Sequence, residues 1–290
     1  MMQPLYPSKE RNLNDQRVSR EAVPTYAPAG RAESCSKHTL AALRERVRRI
    51  ERPVTTAHGR LPFGIAAIYR ALPDGGLARG ALHEIVGSDG DEEDGALAAS
   101  FAAYILGRLT GTSDGMVLWC LPRADLYGHG LAAQGLDPSR VVLVRAPRDA
   151  EILWAMEEGL RTPGIVAVIG EIGSLPAVAS RRLQLAAEHS GITALVLRRW
   201  RTGEQAARER ALPNAALTRW RITALPSRPI RGVPGVGRRW WRIELLRCRG
   251  GELAPWEMEV PDATDHVSLS AALADRPLAP VAAQRLRRAS

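Results

Sequence analysis

The sequence predicts an α/β fold, a mostly parallel sheet with helices on both faces and antiparallel edge strands, on three observations. Short runs at 116–121, 141–144, 165–169 and 193–197 are almost wholly apolar, as strands buried on both faces must be, and 82–86 reads as a further strand. Helical patterns fall between them, which makes each connection a crossover and the neighbouring strands parallel. After residue 218 the pattern changes to strict alternation, as in WWRIELLR, where Trp241, Ile243 and Leu245 lie on one side and Arg242 and Glu244 on the other.

In chain order, residues 1–36 mix Pro, Ser, Arg and Asn without an apolar period and read as a disordered segment. From 37 to 51 Leu40, Leu43, Val47 and Ile50 share one stripe among four arginines, a basic amphipathic helix that opens a domain over 37–273. A short helix ended by Pro73 and Gly75-Gly76 leads into the strand at 82–86, and a helix over about 95–109 follows an acidic loop. Residues 125–134 read as a polar connection. Asp149 is placed to N-cap a helix carrying Ile152, Leu153, Met156 and Leu160 on one face, and 177–189 is the next helix. The stretch 199–214 reads as a basic loop. Alternating strands at 219–225, 240–247 and 256–260 complete the sheet, and 274–290 forms a flexible basic tail.

Composition narrows the function classes. There are 290 residues, 45% hydrophobic, with no apolar run long enough to span a membrane and a polar start, so a cytoplasmic protein with no membrane partner is expected. The three cysteines, Cys35, Cys120 and Cys248, are far apart and the six histidines show no ligand spacing, so no metal site is expected. The net charge of +9 is unevenly placed: residues 198–250 hold fourteen arginines against Glu204, Glu209 and Glu244. Such an excess is either an electrostatic footprint for nucleic acid or a solvated basic face.

The segment 80–109 has the layout of a phosphate-binding strand, loop and helix without its chemistry. A P-loop needs Gly-x-x-x-x-Gly-Lys-Ser/Thr so that backbone N–H groups and a lysine hold phosphate while a hydroxyl reaches magnesium. Counting from Gly87 puts Glu92 at the second glycine, Glu93 at the lysine and Asp94 at the hydroxyl. No Lys or Arg occurs between Arg79 and Arg108, and a triphosphate arriving there meets like charge. Either this is a degenerate P-loop or it is an ordinary acidic helix start.

LPFGIAAIYRALPDGGLARGALHEIVG, DPSRVVLVRAPRDAEILWAMEEGLRTPGIVAVIGEI and RWWRIELLRCRGG resemble the P-loop approach, the run to the second nucleotide motif and the late hairpin of a RecA-like domain. The resemblance covers about 40–273. With the P-loop lost, the chain is most similar to the ImuA family of RecA-like accessory proteins of bacterial mutagenic translesion synthesis; the SulA cell-division inhibitors share the outline. The resemblance puts Glu171 at or one past the acidic magnesium position of a degenerate second motif. It puts Asp125 away from the catalytic glutamate position, and Arg198 and Arg199 where a γ-phosphate-sensing glutamine belongs. No enzymatic activity and no cofactor are then expected.

The family implies a non-enzymatic adaptor in a DNA-damage, SOS-mutagenesis complex. Its expected partners are an ImuB-like Y-family polymerase homologue, an error-prone replicative-type DNA polymerase, RecA and single-stranded DNA. Arg199, Trp200, Arg201, Arg208 and Arg210 offer cations for phosphate and a ring for a base, and are the candidate DNA contacts. Leu278, Val281, Arg285, Leu286, Arg287 and Arg288 are the candidate partner contacts. The alternatives are a SulA-like inhibitor binding FtsZ and, third, an active RecA-type ATPase.

Overall fold

The computed structural model describes residues 58–88, 92–229, 235 and 237–260, with the side chains of 92–94 outside the description. The basic helix expected at 37–51 and the tail at 274–290 lie outside the described residues. Ten strands and six helices follow in order: β1 (Arg60–Leu61), α1 (Ala66–Ala71), β2 (Leu77–Ala78), β3 (Leu82–Gly87), α2 (Glu92–Gly111), β4 (Met116–Leu121), α3 (Gly128–Ala133), β5 (Val141–Arg145), α4 (Asp149–Gly159), β6 (Ile165–Ile172), α5 (Ala177–Ser190), β7 (Thr193–Arg198), α6 (Gly203–Ala211), β8 (Thr218–Arg228), β9 (Arg238–Cys248) and β10 (Pro255–Glu259). Apart from a small β1–β2 pair, the strands form one eight-stranded sheet in the order β10-β9-β8-β3-β7-β6-β4-β5.

The expected α/β class holds. β3 pairs in parallel with both β7 and β8, β6 with β7 and β4, and β4 with β5, while β9 and β10 are antiparallel additions. β8 is therefore the seam: parallel to the core on one side and hairpinned to β9 on the other. The alternation read in β8 suits a strand whose far half, past Ile222, has no β3 partner.

Period-two alternation distributes the central strands between two cores. Ile85, Val117, Trp119, Ile169, Leu195, Leu197 and Trp220 face α2, where Phe101 and Ile105 are fully covered. On that side Phe63 stacks on Trp220 at 5.3 Å and Phe101 meets Trp241 edge-on at 6.2 Å, which ties the antiparallel edge to the parallel core. Leu82, Cys120, Val168, Ala194 and Val196 face the other way, onto Ile152 and Met156 of α4 and Leu183 and Ala187 of α5. The α5 helix stops at Gly191, whose φ of 79° is the left-handed cap that glycine supplies without strain.

Several boundaries differ from the sequence reading. Residues 125–134 contain α3 and 199–214 contain α6, both too short and too small-residue-rich to show a clear apolar period. β6 runs to Ile172, so Glu171 lies inside the strand. Asp149 is the first residue of α4 rather than its cap; Arg148 holds the cap position, and Asp149 Oδ2 instead accepts from the backbone N–H of Gly173 at 3.1 Å and Ser174 at 2.8 Å. That carboxylate fixes the turn after β6.

Candidate functional site

All the parallel strands end at one rim of the sheet, where ligands of open α/β folds bind. A cleft of about 1350 Å³ opens there, with Asp125 and Tyr127 after β4, Asp149 at the start of α4, Glu171 in β6, and Arg199 and Arg201 after β7 on its walls. Its back wall is the first three turns of α2, through Ala96, Ala99, Ser100 and Ala103.

Glu171 is 1% exposed because the strand continues past it and Trp119 covers it from β4. Trp119 Nε1–H donates to Glu171 Oε1 at 2.8 Å, and Arg199 Nε lies 3.1 Å from Glu171 Oε2, close enough for ion pairing though not aligned as a hydrogen bond. Burial pushes the Glu171 carboxyl above the usual carboxylate range, against the opposing pull of Arg199 and of the indole hydrogen bond. The other end of the same guanidinium donates to Asp125 Oδ2 at 3.2 Å. One arginine thus bridges two carboxylates, one in strand β6 and one in the loop after β4.

The same guanidinium also leans on α2. A methyl group added to Gly95 would meet Arg199 Nη1 at 2.6 Å, so a glycine in the first turn of this helix is what lets the cation lie against its backbone. Chemically, the rim is a closed charge network: a cation just after β7, a buried acid from β6 and a second acid from the β4 loop. Gly87 ends β3, and Glu92, Glu93 and Asp94 form the opening turn of α2 by their backbone.

A second network, absent from the sequence reading, lies under α6. Glu84 of β3 is 1% exposed, and its Oε2 accepts from Arg219 Nε at 2.6 Å and from Asn214 Nδ2 at 2.8 Å. Arg198 Nε stands 3.6 Å from Glu84 Oε1, and Arg198 Nη2 donates to Glu209 of α6 at 2.7 Å. Glu84 stands beside His83 between the apolar residues of LHEIV, and a charge at that place in a central strand is the one signal that would have found it.

The five basic-loop residues separate into different environments. Trp200 is 5% exposed, packed on Val86 and Ala206, with its indole N–H donating to Gly173 O at 3.0 Å. The guanidinium carbons of Arg198 and Arg210 lie 5.4 and 5.1 Å from its ring centroid, so the indole is engaged inside the protein rather than presented to a base. Arg199 is held in the rim network. Arg201 and Arg208 are exposed. The exposed aromatic of the rim is instead Tyr127, 70% exposed and stacked on His129 at 5.1 Å, a residue that no sequence pattern singles out.

Two curated relatives, both named Protein ImuA and from Caulobacter vibrioides strains NA1000 / CB15N and ATCC 19089 / CIP 103742 / CB 15, are each 38% identical to the chain over 205 residues. The matched region is 70% of this chain and 84% of each relative. The chain belongs to the ImuA family. No family model matches it. In this ImuA-family chain the rim of the sheet is thus lined by its own bridged acids and arginine, and among the described residues no helix is long and apolar enough to cross a membrane.

Proposed function

We propose that this ImuA-family chain is a non-hydrolytic accessory subunit of a mutagenic translesion-synthesis complex, joining an ImuB-like Y-family polymerase homologue to an error-prone replicative-type DNA polymerase. The observation that carries the non-hydrolytic part is the position of Arg199, against Gly95 in the first turn of α2 and bridged to Glu171 and Asp125. Phosphoryl transfer needs a magnesium ligand free to bind metal and a helix start free to receive phosphate. Here the acid near the end of β6 is buried under Trp119 and paired internally, and the opening turn of α2 carries Glu92, Glu93 and Asp94 in place of glycine, lysine and hydroxyl.

The partner contacts are assigned to Leu278, Val281, Arg285, Leu286, Arg287 and Arg288 of the tail, and contact with single-stranded DNA to the exposed Arg201 and Arg208. RecA is the third partner of this reading.

Titrating the full-length protein with Mg-ATP in a calorimeter tests the lost nucleotide site, and capture from cells treated with a crosslinking agent tests the adaptor role. No heat of binding and recovery of a Y-family-like polymerase are expected. Saturable ATP binding would overturn the first statement, and recovery of FtsZ without any polymerase the second.

A further inference from the structure

The cleft at the sheet rim, at about 1350 Å³, exceeds the roughly 300–1,000 Å³ of most small-molecule pockets, so it suits a length of polymer better than one small molecule. Tyr127 lines it and is 70% exposed. The place of this residue in the chain does not call for a ring. It precedes α3 at the position where Ser, Thr, Asp or Asn ordinarily caps the first turn, and its side chain makes no capping hydrogen bond. One face of the ring lies on His129, with 5.1 Å between centroids and 29° between planes, and the exposure of the residue leaves the other face to solvent.

Cations line the same cleft. Arg123 follows β4 and Arg201 follows β7, two strands on either side of β6, and both residues are exposed. The acids of the cleft are engaged within the protein: Asp125 and Glu171 pair with Arg199, and Asp149 accepts from the N–H groups of Gly173 and Ser174. What the cleft offers a ligand is therefore an open aromatic face together with guanidinium groups. Trp200, the other aromatic residue of the cleft, is already covered by the protein.

The geometry points to a single strand of DNA crossing this cleft, with one base stacked on the open face of Tyr127 and the flanking phosphates toward Arg123 and Arg201. This inference rests on the proposed contact with single-stranded DNA through Arg201 and Arg208, and adds to it a site for the base. Every base has a π-face, so stacking on a tyrosine holds the strand without reading its sequence, while the guanidinium groups follow the backbone. An acidic peptide would be drawn by the same cations but would leave the ring without a stacking partner. The pairing of an exposed ring with cations therefore selects nucleic acid over peptide.

Fluorescence anisotropy of end-labelled oligonucleotides with the full-length chain tests the proposal, using an intact single strand and an abasic strand of equal length and charge. The wild-type chain is expected to bind the intact strand more tightly than the abasic one. Tyr127→Ala removes no capping hydrogen bond, and circular dichroism checks that it is folded. It is expected to weaken binding of the intact strand about 5- to 150-fold, to bind both strands alike and to keep the wild-type salt slope, whereas Tyr127→Phe keeps the preference for the intact strand. Replacing Arg201 and Arg208 instead flattens the slope and leaves that preference. Equal affinity of the wild type for both strands, or a Tyr127→Ala chain that retains the preference, would overturn the base site and leave the arginine contact standing. A wild-type chain that binds neither strand would overturn both, and binding of a polyglutamate peptide in their place would give the cleft to an acidic protein partner.

Discussion

His83 is fully buried in β3, and its neighbours fix its tautomer. Nε2 lies 2.8 Å from the Ala78 carbonyl, which only accepts, so Nε2 carries the proton; Nδ1, 2.8 Å from Thr218 Oγ1, then accepts from that hydroxyl. Trp220 Nε1–H donates to the same Thr218 oxygen at 2.8 Å, so the chain of donors runs one way from β8 through His83 to β2. Burial lowers the His83 pKa to about 4, because a second proton would be a desolvated charge in a network already satisfied. With the folded pKa below the unfolded 6.5, the unfolded chain binds the extra proton first as pH falls. Stability from this residue is complete above pH 6.5 and is lost between 6.5 and about 4, by about 3 kcal/mol in full. Urea unfolding at pH 7 and pH 5 should show about 2 kcal/mol of that loss in the wild type, and His83→Asn, whatever its own stability, should show less of it. Equal losses in both would reject the assignment. Neither His83 nor Glu84 was legible as a network in the sequence, since their partners Thr218 and Arg219 are more than 130 positions away.

At the level of elements, the long apolar strands were legible to within a residue or two because a strand buried on both faces has no choice of composition, as β4 and β7 show. The failures have a common cause. β6 was read as ending at Ile169 because the apolar run stops there, yet the strand continues through Gly170, where any side chain would strike Met156 Sδ at 2.2 Å, and through Glu171, which Trp119 and Arg199 satisfy. The α6 helix, GEQAARERA, has one apolar stripe of alanines and was read as loop for want of large residues. Its formation relies on local terms: Thr202 accepts from Gln205 N–H at 3.2 Å as N-cap, Glu204 sits in the first turn, and Arg208 and Arg210 sit in the last, as the helix dipole favours. Thr202→Ala should therefore cost about 1 kcal/mol in urea unfolding. The larger effect belongs to protease susceptibility between β7 and β8, which should rise in that variant while cleavage elsewhere is unchanged; uniform susceptibility would mean that the cap does not hold α6 in place.

Across the whole molecule, the basic third of the chain means less than its count suggests. Of the fourteen arginines between 198 and 250, Arg198, Arg199, Arg219, Arg221, Arg228, Arg238 and Arg242 each lie within ion-pair distance of a carboxylate. The acids concerned are mostly remote in sequence: Glu84, Asp125 and Glu171 come from the parallel core, and Glu257 and Glu259 from β10, just past the window. A count along the chain misses neutralisation that the sheet brings about across strands, as in the Arg228–Glu257 and Arg238–Glu259 pairs of the antiparallel edge. For contact with DNA, the consequence is quantitative. Each cation that neutralises a phosphate of a single strand contributes about 0.7 to the slope of log affinity against log salt. Arginines already bridged to carboxylates release no such counterion, whereas the exposed Arg201 and Arg208 do. Replacing both with Ala should flatten the slope for a single-stranded oligonucleotide by about 1.4, while Arg228→Ala, at an ion-paired position, should leave it within error. A slope insensitive to the double replacement but reduced by Arg228→Ala would move the nucleic-acid contact from the β7–α6 segment to the antiparallel edge of the sheet.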